Sequence, residues 1–248
     1  MLNIIDHDGV IELAMDRPPV NALNQAFIDQ MIKELGDSAK RGAKAVVLSG
    51  RDGFFSAGLD VPELLQLDRD AISAFWNSFF VLMNTMAALP VPVVAAITGH
   101  APAGGAILAL HADYRIAAQG DYKIGLNEVR VGLPVPRNII GVLEYVVGAR
   151  TATRMAVSGT LMSPDEALAI GLIDEVTANG ETVARALEWL QEWLSLPPIA
   201  MNKTRLAAKS ALLERATEIT TYVRIATDYW FSDETQTMMK QLVADLEK

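Results

Sequence analysis

The chain has 248 residues, no cysteine, 21 Lys plus Arg against 30 Asp plus Glu, and a formal net charge of −9. At 51% hydrophobic and 21% charged residues it is a folded chain rather than a disordered one, sized for one large domain with a small appendage. The missing cysteine excludes disulfide frameworks, thiolate zinc sites and cysteine nucleophiles, and the acidic balance argues against nucleic acid, whose phosphates need a basic surface.

The first residues, Met-Leu-Asn-Ile-Ile-Asp, show neither a basic nor a long apolar segment. No signal peptide and a cytoplasmic location are therefore expected. Val10–Met15 reads as a strand stopped by Asp16-Arg17-Pro18-Pro19. From Asn24 the apolar residues Phe27, Ile28, Met31, Ile32 and Leu35 follow the period of an amphipathic helix. Ala45–Ser49, Val93–Ile97 and Tyr114–Ala118 are short apolar runs suited to strands covered on both faces. Residues 91–110 form the most apolar stretch, but Pro92, Gly99, Pro102, Gly104 and Gly105 interrupt it, and no membrane span is expected there. Ser163-Pro164-Asp165-Glu166 predicts a capping box and a helix ending at Gly171, with a last strand over residues 172–176. Beyond Pro197-Pro198 the composition is helical. The reading is therefore an α/β core over 1–196 and a helical C-terminal part over 197–248, whose apolar and aromatic content predicts a subunit interface.

Three segments can carry chemistry. Phe54-Phe55-Ser56-Ala57-Gly58-Leu59-Asp60 is an aromatic-anchored turn of small residues, where a ligand can approach backbone N–H donors. Alone, it fits an ordinary strand-to-helix turn equally well. Gly99-His100-Ala101-Pro102-Ala103-Gly104-Gly105 puts a Gly-Gly pair at the start of an apolar helix, which suits either exposed N–H donors or close helix–strand packing. Ile124-Gly125-Leu126-Asn127-Glu128-Val129 sets a glutamate among apolar residues, where desolvation would raise its pKa and make it a base near neutrality, although taken alone a glutamate in such a loop is more often a solvated or capping residue. His7, His100 and His111 show no metal-ligand spacing, and His111 reads as a packed core residue. No G-x-S-x-G surrounds Ser56, so a hydrolase built on that serine lacks support.

In this order and spacing the three segments resemble the crotonase (enoyl-CoA hydratase/isomerase) superfamily. Asp16-Arg17-Pro18 with Asn21-Ala22-Leu23, and the stretch from Ser163 to Val176, add to the match. The resemblance implies an α/β fold, a spiral of ββα units with a helical C-terminal trimerisation region. It implies an acyl-CoA thioester as substrate, with no metal and no separate cofactor, because CoA is part of the substrate. The expected assembly is a homotrimer or dimer of trimers. The N–H groups of Leu59 and Gly104 would form an oxyanion hole, and Ser56, Ala57, Gly58 and Asp60 would line the CoA contact.

The family's hydratases carry two glutamates. Here the first position matches Ile107 and the second Glu128. Hydration needs a water held between two carboxylates, whereas moving a double bond needs one base. Ile124-Gly125-Leu126-Asn127-Glu128 is most similar to the mitochondrial-type Δ3,Δ2-enoyl-CoA isomerases, so the expected activity is that isomerisation, in fatty-acid β-oxidation. Glu128 would be the base, Ile107 an apolar wall and Asn127 an orienting group. A hydratase and a catalytically silent acyl-CoA-binding homologue are the alternatives.

Overall fold

The computed structural model of the chain describes residues 1–215 and 218–246. β1 (Leu2–His7) and β2 (Val10–Met15) form an antiparallel hairpin across Asp8-Gly9. Both turn residues have positive φ, 53° and 91°, as a tight hairpin turn requires. Residues 24–40 follow the predicted period: Asn24 caps α1 (Gln25–Lys40), its side chain accepting from Phe27 N, and Phe27, Ile28, Met31 and Leu35 are buried.

The remaining strands climb two sheets in alternation. β3 (Ala45–Ser49) passes to β4 (Gly53–Phe54), then to α2 (Val61–Leu64) and α3 (Arg69–Ala88). β5 (Val93–Ile97) passes to β6 (Gly99–Pro102) and α4 (Gly104–Leu110). β7 (Tyr114–Ala118) passes to β8 (Ile124–Gly125) and a 3₁₀ turn at Glu128–Val131. The larger sheet has the order β1-β2-β3-β5-β7-β9, where β9 is Glu175–Thr177, with every pair after β1-β2 parallel, and the smaller has the order β4-β6-β8. This is the expected spiral of ββα units.

α5 (Arg137–Val147), α6 (Ala149–Ser158) and α7 (Pro164–Ala169) lead to β9 (Glu175–Thr177) and α8 (Thr182–Leu194). The capping box at Ser163 is present. The last strand, however, starts at Glu175 rather than at residue 172, because residues 172–174 form a turn whose Asp174 carboxylate accepts from Arg115 N and pairs with its guanidinium at 2.7 Å. α4 likewise starts at Gly104 itself.

β3 and β5 are buried on both faces. Val46, Leu48, Val93, Ala95 and Ile97 join the main core, and Ala45, Val47, Val94 and Ala96 pack under Ala186 and Leu190 of α8. α3, which sequence periodicity left unassigned, is long and apolar enough to cross a membrane. Its Phe75, Trp76, Phe79 and Phe80 are nevertheless buried in the main core, which makes it a core helix.

The C-terminal helices are α9 (Pro198–Ala208), α10 (Ser210–Arg215), α11 (Ile219–Trp230) and α12 (Asp233–Leu246). Their apolar residues are largely spent inside this chain: Val223, Ala226, Trp230 and Met239 belong to the same core as the strands. Trp230 is 1% exposed and meets the Trp76 ring edge-on at 6.4 Å. Of the aromatic residues that sequence reading assigned to a subunit interface, Trp230 thus has an intramolecular partner, while Tyr229 is exposed. Trp230→Ala is expected to lower stability by about 3–5 kcal/mol. Urea unfolding followed by circular dichroism should keep one transition, and a separate early transition of the C-terminal helices would contradict the shared core.

Candidate active site

Two backbone loops meet at the floor of a cavity of about 710 Å³. The loop after β4 owes its shape to Asn21, which is fully buried at φ 52°. Asn21 shares its amide hydrogens among Met15 O, Phe54 O and Phe55 O, while its Oδ1 accepts from Arg17 N at 2.7 Å. Phe55 N and Ser56 N both donate to His100 O, Ala57 N donates to Val20 O, and Asp60 N donates to Leu23 O. Gly58 N donates to Ser56 Oγ. That leaves the N–H of Leu59. Across from it, Ala103 N donates to Gly125 O and Ile107 N to Ala103 O. Among the described residues, no group accepts from the N–H of Leu59 or of Gly104, and both residues line the cavity. Backbone donors away from water are almost always satisfied, so these two, on residues that line one cavity, are available to an acceptor placed there.

Glycine is required here for contact. Gly58 has φ +87°, and a Cβ on it would come within 3.0 Å of Gly104 N. A Cβ on Gly105 would stand 2.3 Å from Ser56 O. Ala103 supports the same approach with a positive φ of 47°.

Glu128 lies in the opposite wall, at the start of the 3₁₀ turn, 7% exposed. Neither carboxylate oxygen reaches a hydrogen-bond partner. Burial pushes its pKa up from the ordinary 4.5 to about 7; its own backbone N–H, close but off hydrogen-bond geometry, pulls weakly the other way. Asn127 beside it also lines the cavity, with a buried Oδ1 that has no donor. The charged residues among the lining are Arg17, Asp60 and Glu128. Asp60 is committed: it pairs with Arg17 at 2.6 Å and caps α2 by accepting from Glu63 N. The free carboxylate of the cavity is Glu128.

The structure brings Ala57, Leu59, Asp60, Gly104, Ile107, Asn127 and Glu128 to one cavity. Two predicted contact residues lie beneath it instead. Ser56 is fully buried, its hydroxyl donating to Asn21 O at 2.8 Å, so its side chain shapes the loop and is not presented to a ligand. Gly58 serves as the spacer against Gly104. His111 is buried, its Nδ1–H donating to Ile107 O, and burial lowers its pKa to about 4. Among the described residues, no group of His, Cys, Asp or Glu is arranged to hold a metal.

Sequence reading missed the walls. Trp76, Phe79 and Phe80 come from α3, Ala226 from α11, and Met239 and Leu242 from α12, so the C-terminal helices of the same chain close the apolar end. α3 was not assigned from sequence, and its meeting with α11 and α12 is a long-range contact that no local pattern encodes.

Comparison with known proteins gives the family. The family model described as Enoyl-CoA hydratase/isomerase matches residues 6–247. Human mitochondrial enoyl-CoA delta isomerase 1 is 33% identical over 212 residues, 84% of this chain and 70% of that protein. A protein named as a probable enoyl-CoA hydratase of Mycolicibacterium paratuberculosis is 35% identical over 89% of this chain and 84% of its own length. The crystal structure of human mitochondrial delta3-delta2-enoyl-CoA isomerase superposes with a TM-score of 0.95 at 29% identity, covering 99% of this chain and 98% of that one.

The buried carboxylate makes stability depend on pH. Its folded-state pKa lies above the unfolded value, so burial costs nothing while both states are protonated, below about pH 4.5. The cost accumulates between about 4.5 and 7 and is complete above that, on the order of 3 kcal/mol. Glu128→Gln, neutral at every pH, should unfold at a higher temperature than the parent at pH 8 and at a similar one at pH 4. Equal melting temperatures at pH 8 would mean that the charged form is solvated.

Proposed function

The chain belongs to the enoyl-CoA hydratase/isomerase family, whose members process acyl-CoA thioesters, and within it we propose a Δ3,Δ2-enoyl-CoA isomerase. The observation that supports this reading is the single uncommitted carboxylate. Among the described residues lining the cavity, only Asp60 and Glu128 carry carboxylates, and Asp60 is held by Arg17. The position where a second glutamate would polarise a water is Ile107, which is 5% exposed.

In this reading the thioester oxygen of a 3-enoyl-CoA sits between the N–H groups of Leu59 and Gly104. Removing the C2 proton moves charge onto that oxygen, and each positioned donor is worth about 2.7–4 kcal/mol of barrier. The Glu128 carboxylate takes the C2 proton. The electron pair delocalises over the dienolate, and the protonated Glu128 returns the proton at C4 as the double bond settles between C2 and C3. A pKa of about 7 suits both halves, because the group must accept and then give up a proton near neutrality. Ile107, Phe79, Phe80 and Leu133 keep water from the dienolate.

Hydration is the competing reading, since a probable hydratase is as similar in sequence as the human isomerase. Glu128→Gln should lower 3-enoyl-CoA turnover by about 10²–10⁴-fold while acyl-CoA binding stays within a few-fold. The unmodified chain should leave crotonyl-CoA nearly unhydrated, and Ile107→Glu should gain hydration by setting a second carboxylate opposite the first. A parent enzyme that hydrates crotonyl-CoA as fast as it isomerises 3-enoyl-CoA would replace the isomerase by a hydratase.

Homotrimeric assembly is part of the same reading. With Trp230 and Met239 buried internally, the exposed apolar side chains left to support association include Val157 and Ile199, 75% and 73% exposed. Light scattering should return a multiple of the 26.8 kDa chain mass, and a stable particle of one chain would remove the claim.

A further inference from the structure

A second, smaller cavity of about 150 Å³ lies between α5 and α9, away from Glu128. Its polar wall is a buried charge cluster. Asp113, 2% exposed at its side chain, accepts from Val93 N and from Arg205 Nη1, and Lys209 Nζ stands 2.5 Å from its Oδ1 without hydrogen-bond alignment. Arg205 also donates to Leu89 O and Asn202 Oδ1, which satisfies its guanidinium. Arg115 gives Nη1 to Ala112 O and pairs Nη2 with Asp174.

One donor is left over and one is under-used. The Nε of Arg115 is buried with no hydrogen-bond partner, and the Nζ of Lys209, with three hydrogens to give, has the Asp113 carboxylate at 2.5 Å as its ion-pair partner; both side chains are 9% exposed. Among the described residues, the cluster holds three cations, Arg115, Arg205 and Lys209, against two anions, Asp113 and Asp174. A buried charge without a counter-charge is costly, and burial already pulls the Lys209 pKa down against the pull of Asp113. Leu110, Val142, Val146 and Leu212 give the cavity apolar lining, beside the polar-edged rings of His111, Tyr145 and Trp193. At a liquid share of about 30 Å³ per water, the cavity has room for about five waters or one small organic anion.

We infer that this cavity is a binding site for a short-chain aliphatic carboxylate. Its head would accept from Lys209 and Arg115, and its alkyl tail would lie on Leu110, Val142 and Val146. One negative charge balances the cluster, and one short alkyl group fills the apolar remainder. A chloride ion satisfies only the first requirement and an alcohol only the second.

Sodium butyrate is the probe, titrated at fixed ionic strength and followed by melting temperature and by the line width of carboxyl-¹³C butyrate. Saturable binding is expected for butyrate and not for butanol, butylamine or chloride. It should persist when butyryl-CoA saturates the larger cavity. Lys209→Met, which keeps the stem and removes the charge, should weaken butyrate at least tenfold. Ala208→Trp, an exposed substitution at the cavity wall, should block binding while leaving every charge in place. No saturable response in the parent, displacement by butyryl-CoA, or unchanged affinity in both variants would each overturn the site.

Discussion

The structure depends on the close contact between the loop after β4 and the first turn of α4. Two N–H donors can face one point only if their backbones nearly touch. That contact leaves no room for a Cβ at Gly105, where Ser56 O would be 2.3 Å away, and little at Gly58. The fully buried Asn21 holds the loop from below, and the parallel β4-β6 pair fixes the distance between the two segments. The ββα spiral is what makes this geometry repeatable: each turn of the chain delivers a strand end, a tight turn and a helix start to the same side.

Glu128 is set against that floor at an energetic cost. Desolvation outweighs the pull of its own backbone N–H, so the group is destabilised in its charged form. A carboxylate well solvated by hydrogen bonds would be a weaker base and would bring the water with it. The dryness comes from distant sequence: α3 provides the aromatic wall, and α11 and α12 fold back to cap it. The burial of Trp230 against Trp76 therefore serves both stability and chemistry, because it seats the helix that carries Ala226.

Much of this was legible in the sequence because it is local. The apolar runs of β3, β5 and β7, the cap at Asn24 and the box at Ser163 depend on residues within a turn or two. The glycines at 58, 104 and 105 announced close approach, although sequence could not say whether a ligand or a helix was approaching. The structure shows close packing at Gly105, against Ser56, and places Gly104 at the cavity. The direction of the Ser56 side chain was not legible in the same way: only the loop's path shows its hydroxyl turned down to Asn21 O. β1 was overlooked even though Asp8-Gly9 is a strong hairpin signal, because Leu2–His7 is an edge strand whose mostly exposed residues lack the buried pattern. The last strand began late because Asp174 answers a distant arginine, a tertiary preference that overrides local β propensity.

The same logic separates one carboxylate from two. A second acid opposite Glu128 would convert the dry wall into a water site: two carboxylates in one low-dielectric cavity cannot both ionise near neutrality without a shared proton or a bridging water. Ile107 forbids that arrangement twice, by lacking the charge and by occupying the volume. Position 107 is thus a chemical choice made through packing, since it lies on α4 one turn after Gly104, on the element that also provides an N–H donor. A donor and an apolar wall on one short helix move together, which in the proposed reading couples the placement of the thioester oxygen to the exclusion of water from the carbons beside it.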